Sequence, residues 1–160
     1  MTQAAPSSEN ATDAQSPSLH NTVTPDLIAG ALRKTGYRAT LSEHQGRMQV
    51  RSAAQGIGFF VAFGGAETLA ATRYSDFAFH CWINIEGELR AGLIDSWNQT
   101  RRFARLFRQG SLMILTMDVL VAGGVDENHL CAQCELWDRV IQDFIRHLKQ
   151  EAAPAAVYGT

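Results

Sequence analysis

Apolar side chains along this chain recur at two different spacings, and each change of spacing marks a new element. The most regular series lies near the C-terminus, where the spacing alternates between four and three: Leu130, Cys134, Trp137, Ile141, Phe144 and Leu148. Residues spaced in this way share one face of an α-helix. The segment from Asp126 to Gln150 is therefore predicted to be a long amphipathic helix with Asp126 as its N-cap.

A shorter helix is predicted near the start of the chain. Thr24 followed by Pro25 is a typical helix start, because the hydroxyl can cap the first turn and proline needs no amide partner there. The apolar face of this helix holds four residues: Leu27, Ile28, Ala31 and Leu32. Gly36 suits the left-handed residue that commonly ends a helix.

From Tyr37 onward the apolar spacing falls to two, which is typical of β-strands. Two alternating runs around a turn at residues 43–46 predict an antiparallel hairpin. The run 57–63 is nearly all apolar, so it predicts a more central strand that is covered on both faces. Further strands are predicted over three segments: 74–85, 103–108 and 112–122. In the last of them, every odd position from 113 to 121 is apolar.

Residues 86–97 return to a helical spacing. Four of their apolar residues share one helical face: Leu89, Leu93, Ile94 and Trp97. Asn98 follows and is placed to terminate this helix. The element order is then α-β-β-β-β-α-β-β-α. It predicts an α+β domain in which an N-terminal, a middle and a long C-terminal helix pack on one antiparallel sheet.

The composition narrows the class of protein. With 160 residues, of which 46% are hydrophobic and 19% charged, the chain fits a single soluble domain. A net charge of −2 gives no global attraction to nucleic acid or to an anionic membrane. No apolar stretch approaches the roughly 18–20 residues of a membrane span. Three cysteines, an odd number, favour reduced thiols in a cytoplasmic protein.

Both ends of the chain are predicted to lie outside the domain. Residues 1–22 are rich in small and polar residues, and they cannot bury enough surface to offset the entropy of ordering. They are predicted to form a disordered tail, and they lack the basic start and apolar core of a secretory signal. Residues 151–160 are predicted to form a second disordered tail, which leaves a domain over residues 23–150.

A series of short motifs between Leu93 and Leu130 resembles the YbjN family of bacterial proteins. The motifs are, in chain order, Trp97-Asn98 after a helix, Arg102-Phe103 at the start of a strand, Asp118 in the hairpin strand, Gly123-Gly124-Val125, and Asp126 before the last helix. The preceding order of helix and strands also fits. The resemblance therefore extends over about Pro25 to Leu148.

The resemblance implies a fold and a mode of action. The family is similar in fold to type III secretion chaperones, which are small α+β domains that usually form homodimers and hold unfolded or extended protein segments. It is described as a family of sensory transduction regulators and has no assigned catalytic residues. We therefore expect a non-enzymatic, homodimeric, protein-binding domain without a cofactor. Five residues are candidates for contact with a partner or a second copy: Leu89, Leu93, Trp97, Arg102 and Arg105.

Four arginines interleaved with two phenylalanines indicate a different class of function, a nucleic-acid-binding regulator. The segment Arg101–Arg108 could place guanidinium groups on phosphates and aromatic rings on bases. The competing interpretation is a strand near a sheet edge whose charges prevent unwanted pairing, with Phe103 and Phe107 in the core. The slightly acidic net charge favours the second interpretation, so nucleic acid is not the expected partner.

Two smaller groups of residues also suggest chemistry. A Cys-X-X-Cys motif at Cys131 and Cys134, preceded by His129, could serve redox or metal chemistry. Zinc would need two more ligands, and Cys134 lies on the apolar stripe, where cysteine acts as a small hydrophobe, so we expect core packing and no metal.

His80 and Trp82 alternate on the less apolar face of a strand. Tryptophan is enriched at binding hot spots, whereas a lone histidine there is usually a hydrogen-bonded sheet residue.

Overall fold

The computed structural model describes residues 18–64 and 72–152, and their elements follow the predicted order. The helices are α1 (Pro25–Lys34), α2 (Leu93–Thr100) and α3 (Glu127–Ala152). The strands are β1 (Thr40–His44), β2 (Arg47–Ala54), β3 (Ile57–Gly64), β4 (Asp76–Asn84), β5 (Arg105–Gln109) and β6 (Leu112–Leu120). The predicted α+β class and the antiparallel sheet are confirmed.

The six strands form one sheet in the order β1-β2-β3-β4-β6-β5, and every neighbouring pair is antiparallel. The predicted hairpin is β1–β2, in which Leu41 lies opposite Val50. β6 is inserted between β4 and β5, so β5 lies at one edge of the sheet. β3 and β4 are the two central strands.

The helices pack on one face of this sheet. Their largest contribution is the apolar stripe of α3, of which five residues are buried: Leu130, Cys134, Trp137, Ile141 and Phe144. The Trp137 ring stacks on Phe79 of β4, with 5.3 Å between ring centroids, and meets Phe59 of β3 edge-on. The predicted odd positions 113 to 121, on β6 and directly after it, are all buried. The prediction that α3 lays its stripe on the sheet is confirmed.

The predicted starts of the first and last helices are also confirmed. Thr24 Oγ1 accepts a hydrogen bond of 3.2 Å from the amide of Leu27, which caps α1. Gly36 follows this helix with φ of 92°, the left-handed conformation that glycine adopts without strain. At α3, the Asp126 carboxylate accepts a 2.8 Å hydrogen bond from the amide of His129.

The middle helix differs from its prediction at both ends. α2 begins at Leu93 rather than at residue 86, because Gly92 directly before it has φ of 84° and interrupts any helix from further upstream. Asn98 does not terminate the helix, which continues to Thr100. Its side chain bonds the backbone of β5 instead: Asn98 Nδ2 donates to the Leu106 carbonyl at 2.8 Å, and the Leu106 amide donates to Asn98 Oδ1 at 2.9 Å.

The prediction that Phe103 and Phe107 belong to the core is wrong. Phe103 is 61% exposed and precedes β5, and Phe107 is 37% exposed. Leu106 lies opposite Leu115, is 1% exposed and points toward the helices. Successive strand residues point to opposite faces, so Phe107 must point away from the helices.

The ends of the paired structure differ slightly from the predicted tails. His20, within the predicted N-terminal tail, exchanges two backbone hydrogen bonds with Val125, at 2.7 and 3.0 Å. α3 continues to Ala152, two residues past its predicted end. The rest of the two predicted tails, residues 1–17 and 153–160, lies outside the described residues. Within the ranges that the structure describes, none of the helices has the length and hydropathy that a membrane span requires.

Candidate functional site

The face of the sheet opposite the helices, called here the open face, holds a cluster of large apolar and aromatic side chains. We call this cluster the aromatic patch, and it comprises Phe60 on β3, His80 and Trp82 on β4, Ile114 on β6 and Phe107 on β5. Trp82 is 50% exposed, although tryptophan is normally well buried. Most of the exposed aromatic surface of the sheet is therefore gathered in one place.

The strand register brings the members of the patch together. Phe60 lies opposite His80, and Ile114 lies opposite both Trp82 and Phe107. The Phe60 ring stacks on the His80 imidazole, with 5.1 Å between centroids, and meets the Trp82 indole edge-on at 5.0 Å. Cross-strand aromatic pairs of this kind hold side chains in a fixed arrangement. The patch is therefore a defined surface across four strands.

Two buried polar atoms under the patch have no partner in the described chain. They are Nδ1 of His80 and Oγ1 of Thr116, and the two residues lie opposite each other on β4 and β6. Burial lowers the pKa of His80; Asp118 opposes this shift and Arg105 adds to it. The imidazole is therefore neutral at pH 7. Leaving such atoms unpaired is costly, and a bound molecule that moved the side chains above them would supply the missing partners.

Basic residues flank the patch on both sides. Arg51 of β2 lies opposite Phe60, and Arg105 of β5 lies opposite Thr116, so one row of residues crosses five strands between two guanidinium groups. Arg105 Nη2 is 3.4 Å from Asp118 Oδ2, and both side chains are about two-thirds exposed. An exposed pair of this kind is held weakly and can exchange partners.

The five predicted contact residues do not form one surface. Leu93 is 6% exposed and Trp97 1%, because both are packed in the core of their own chain. The Trp97 indole donates to the Ala104 carbonyl at 3.1 Å, and its ring meets Phe144 edge-on. A partner could contact neither residue without opening this core. Leu89 is half-buried against the same core.

Arg102 and Arg105 are both exposed, but they lie on different sides of the molecule. Arg105 is on the open face, whereas Arg102 lies with its guanidinium 5.0 Å from the centre of the Phe103 ring, in the loop between α2 and β5. Arg108, opposite Met113, points to the helix side and donates to the Gly110 carbonyl. The predicted run of arginines is therefore divided among a loop and the two faces of the sheet. This arrangement disfavours one continuous surface for a nucleic-acid strand.

The cysteine motif is a packing feature. Cys81, Cys131 and Cys134 are free thiols. Burial raises the pKa of Cys134 to about 12, and burial followed by Glu127 raises that of Cys131. Reactive thiols need the thiolate, which is scarce at neutral pH when the pKa is raised. The structure contains no group of three or more potential metal ligands within the described ranges.

The sequence pattern pointed to Trp82 but missed Phe60, Ile114 and Thr116. One signal for them was present, because the run 57–63 predicted a strand covered on both faces. In the structure the helices cover only the face that carries Phe59 and Val61, and Phe60 lies on the other face. An apolar strand with one uncovered face is a signal for a binding surface.

Comparison with known proteins gives one match. A family model with the description YbjN, putative bacterial sensory transduction regulator, matches residues 24–150. The matched range begins at the N-cap of α1 and includes all six strands. No curated protein and no solved structure matches significantly.

Proposed function

Because the chain belongs to the YbjN family, we propose that it is a non-enzymatic protein-binding domain, a cytoplasmic regulatory adaptor that holds a partner protein on the open face of its sheet. The family description as a sensory transduction regulator fits a regulatory or adaptor role. The resemblance in fold to type III secretion chaperones supports protein binding and homodimer formation. The free thiols suit a reducing compartment.

The observation that carries this proposal is the exposure of the aromatic patch. Trp82 is 50% and Phe107 37% exposed, and both lie opposite Ile114 of β6. Tryptophan and other aromatic residues dominate binding energy in protein interfaces, because they bury large areas with little loss of conformational freedom. A contiguous apolar surface of this kind is typical of a site for another protein.

The polar groups around the patch indicate the chemistry of the partner. Arg51 and Arg105 flank the patch with guanidinium groups, which pair with carboxylates. The unpartnered atoms of His80 and Thr116 lie between them. We therefore expect the bound segment to present apolar side chains at its centre, a polar group near His80, and Asp or Glu at its ends.

Capture experiments with matched variants test the proposal. The full chain serves as bait in a native cytoplasmic extract, and the retained proteins are compared with those retained by Trp82→Ser and Arg105→Glu. Leu19→Ser and Arg38→Glu are the controls, since Leu19 is an exposed apolar residue outside the sheet and Arg38 an exposed arginine outside the patch. Retention of the proteins bound by the wild type and both controls should fall at least tenfold with Trp82→Ser, while circular dichroism shows that the variant is still folded.

Equal retention by the wild type and Trp82→Ser would show that the open face is not the binding surface. The homodimer is measured separately, by light scattering coupled to gel filtration of the wild type at two concentrations. A mass of one chain, 17.6 kDa, at both concentrations would contradict that part of the proposal.

A further inference from the structure

A second surface lies on the helix side of the molecule, away from the aromatic patch. It is a half-open groove of about 460 Å³ between the α2–β5 loop and α3. The loop contributes Arg101, Arg102 and Phe103, and α3 contributes Leu136, Arg139 and Val140. The volume falls in the range of small-molecule sites, roughly 300–1,000 Å³.

The groove carries an excess of positive charge. Three guanidinium groups line it, from Arg101, Arg102 and Arg139, and none of the three forms an ion pair with another described residue. The carboxylate of the groove, Asp143, is paired with Arg146. Three such groups in one groove are notable in a chain whose net charge is −2.

One of these arginines has a guanidinium group whose hydrogen-bonding capacity is not fully used. Arg101 is half-buried, its guanidinium carbon lies 5.9 Å from the centre of the Trp97 ring, and its Nε is buried without a hydrogen-bond partner in the described chain. A buried guanidinium nitrogen without an acceptor is unfavourable. A bound anion that drew the Arg101 side chain further into the groove would provide the acceptor that the chain itself lacks.

Phe103 gives an independent indication of a ligand. Its backbone has φ of 72°, a left-handed conformation that is a genuine outlier for a bulky residue, and its side chain is 61% exposed. Backbone strain of this kind clusters at ligand sites, where the surrounding structure holds the residue in place. The Phe103 ring lines the groove next to the guanidinium of Arg102.

We propose that this groove binds a small organic phosphate monoester with a flat apolar body. A phosphate monoester carries about two negative charges and three terminal oxygens, which suit several guanidinium forks, whereas a carboxylate offers one charge and two oxygens. Phe103, Leu136 and Val140 supply apolar surface for the body of the ligand. The proposal does not depend on protein binding at the open face, because the two surfaces share no residue.

Calorimetric titration of the full chain with 1-naphthyl phosphate at low salt tests the proposal. The expected order of affinity is 1-naphthyl phosphate first, then 1-naphthaleneacetate and inorganic phosphate, with 1-naphthol weakest. Absence of heat up to millimolar 1-naphthyl phosphate would overturn the proposal. Equal or tighter binding of 1-naphthaleneacetate or 1-naphthol would also overturn it. Tighter binding of a single-stranded oligonucleotide at the same residues would overturn it as well.

Variants connect the binding to the groove. Arg101→Gln and Arg139→Gln should each weaken binding of 1-naphthyl phosphate about tenfold, whereas Arg38→Gln, an exposed arginine far along the chain, should leave it unchanged. Phe103→Gly should also weaken binding but should not lower the melting temperature, because glycine adopts the left-handed conformation freely. If all three groove variants bind as the wild type does, the groove is not the site.

Discussion

The buried imidazole of His147 joins the two helices that frame the groove, because its Nε2 lies 2.8 Å from the carbonyl oxygen of Leu93. A carbonyl only accepts, so Nε2 carries the proton of this hydrogen bond. The same ring meets Trp97 edge-on, with 5.5 Å between centroids. The sequence places His147 among the basic residues that end α3, yet the side chain is 4% exposed.

This contact predicts a large effect of His147 on stability. His147→Ala removes a buried hydrogen bond and leaves a cavity beside Trp97, so we expect the free energy of unfolding to fall by about 2–4 kcal/mol. Urea unfolding followed by circular dichroism measures this change. Arg146→Ala is the control, and as a surface substitution it should change stability by at most about 0.5 kcal/mol. Equal effects of the two substitutions would contradict a structural role for His147.

Asn98 predicts a second effect, on the junction between α2 and β5. Asn98→Asp keeps the acceptor for the Leu106 amide but removes the donor to the Leu106 carbonyl and places negative charge beside that oxygen. We expect a loss of about 1–3 kcal/mol at pH 7. Gln99→Glu makes the same change of charge at the next residue of the helix and should be close to neutral. Denaturant unfolding measures the free energy of unfolding of both variants. Equal losses would show that the added charge, and not the hydrogen bond to Leu106, causes the effect.

The sequence predicted those elements whose side chains keep a regular spacing over several turns or strand residues. The stripe of α3 and the odd positions of β6 are of this kind, because burial on one face is what produces the spacing. The start of α2 was missed because Leu89 and Leu93 keep a helical spacing on both sides of Gly92. Spacing reports burial, whereas the start of α2 is set by the left-handed backbone conformation of Gly92.

The candidate surfaces were less predictable, because they depend on which strands become neighbours. The aromatic patch requires β6 to lie between β4 and β5, so that Ile114 contacts both Trp82 and Phe107. Nothing in local spacing determines this insertion. The groove likewise depends on the loop at Phe103 approaching α3, a contact between distant parts of the chain.

The thiols provide a third prediction. Burial raises the pKa values of Cys81 and Cys134 to about 11 and about 12, so neither should react with Ellman's reagent until the chain unfolds. Cys131 is half-buried and its pKa is also raised, so it should react first but more slowly than glutathione. Titration of the native wild type, of Cys131→Ser and of Cys134→Ser separates the three thiols. A native Cys134 that reacts faster than glutathione would restore the redox interpretation of the motif.

His80 predicts how stability depends on pH. Burial lowers its pKa in the folded chain below 6.5, the value expected in the unfolded chain, with Asp118 opposing and Arg105 reinforcing the shift. Above pH 6.5 both states hold a neutral imidazole, and the group does not affect stability. As the pH falls through 6.5, the unfolded chain binds the proton first, so folding becomes less favourable. The loss ends only below the folded pKa, where both states are protonated.

Comparison with His80→Gln isolates this effect from the other histidines. Urea midpoints of the wild type and the variant are measured at pH 7.5, 6.0 and 5.0, and the wild type should lose more stability toward pH 5.0 than His80→Gln. Parallel curves would show that the pKa of His80 is the same in the folded and the unfolded chain. A partner that covers the open face buries His80 further, which lowers its pKa more unless the partner supplies a carboxylate beside it. Repeating the series with a captured partner segment would therefore report whether an acidic group lies against the patch.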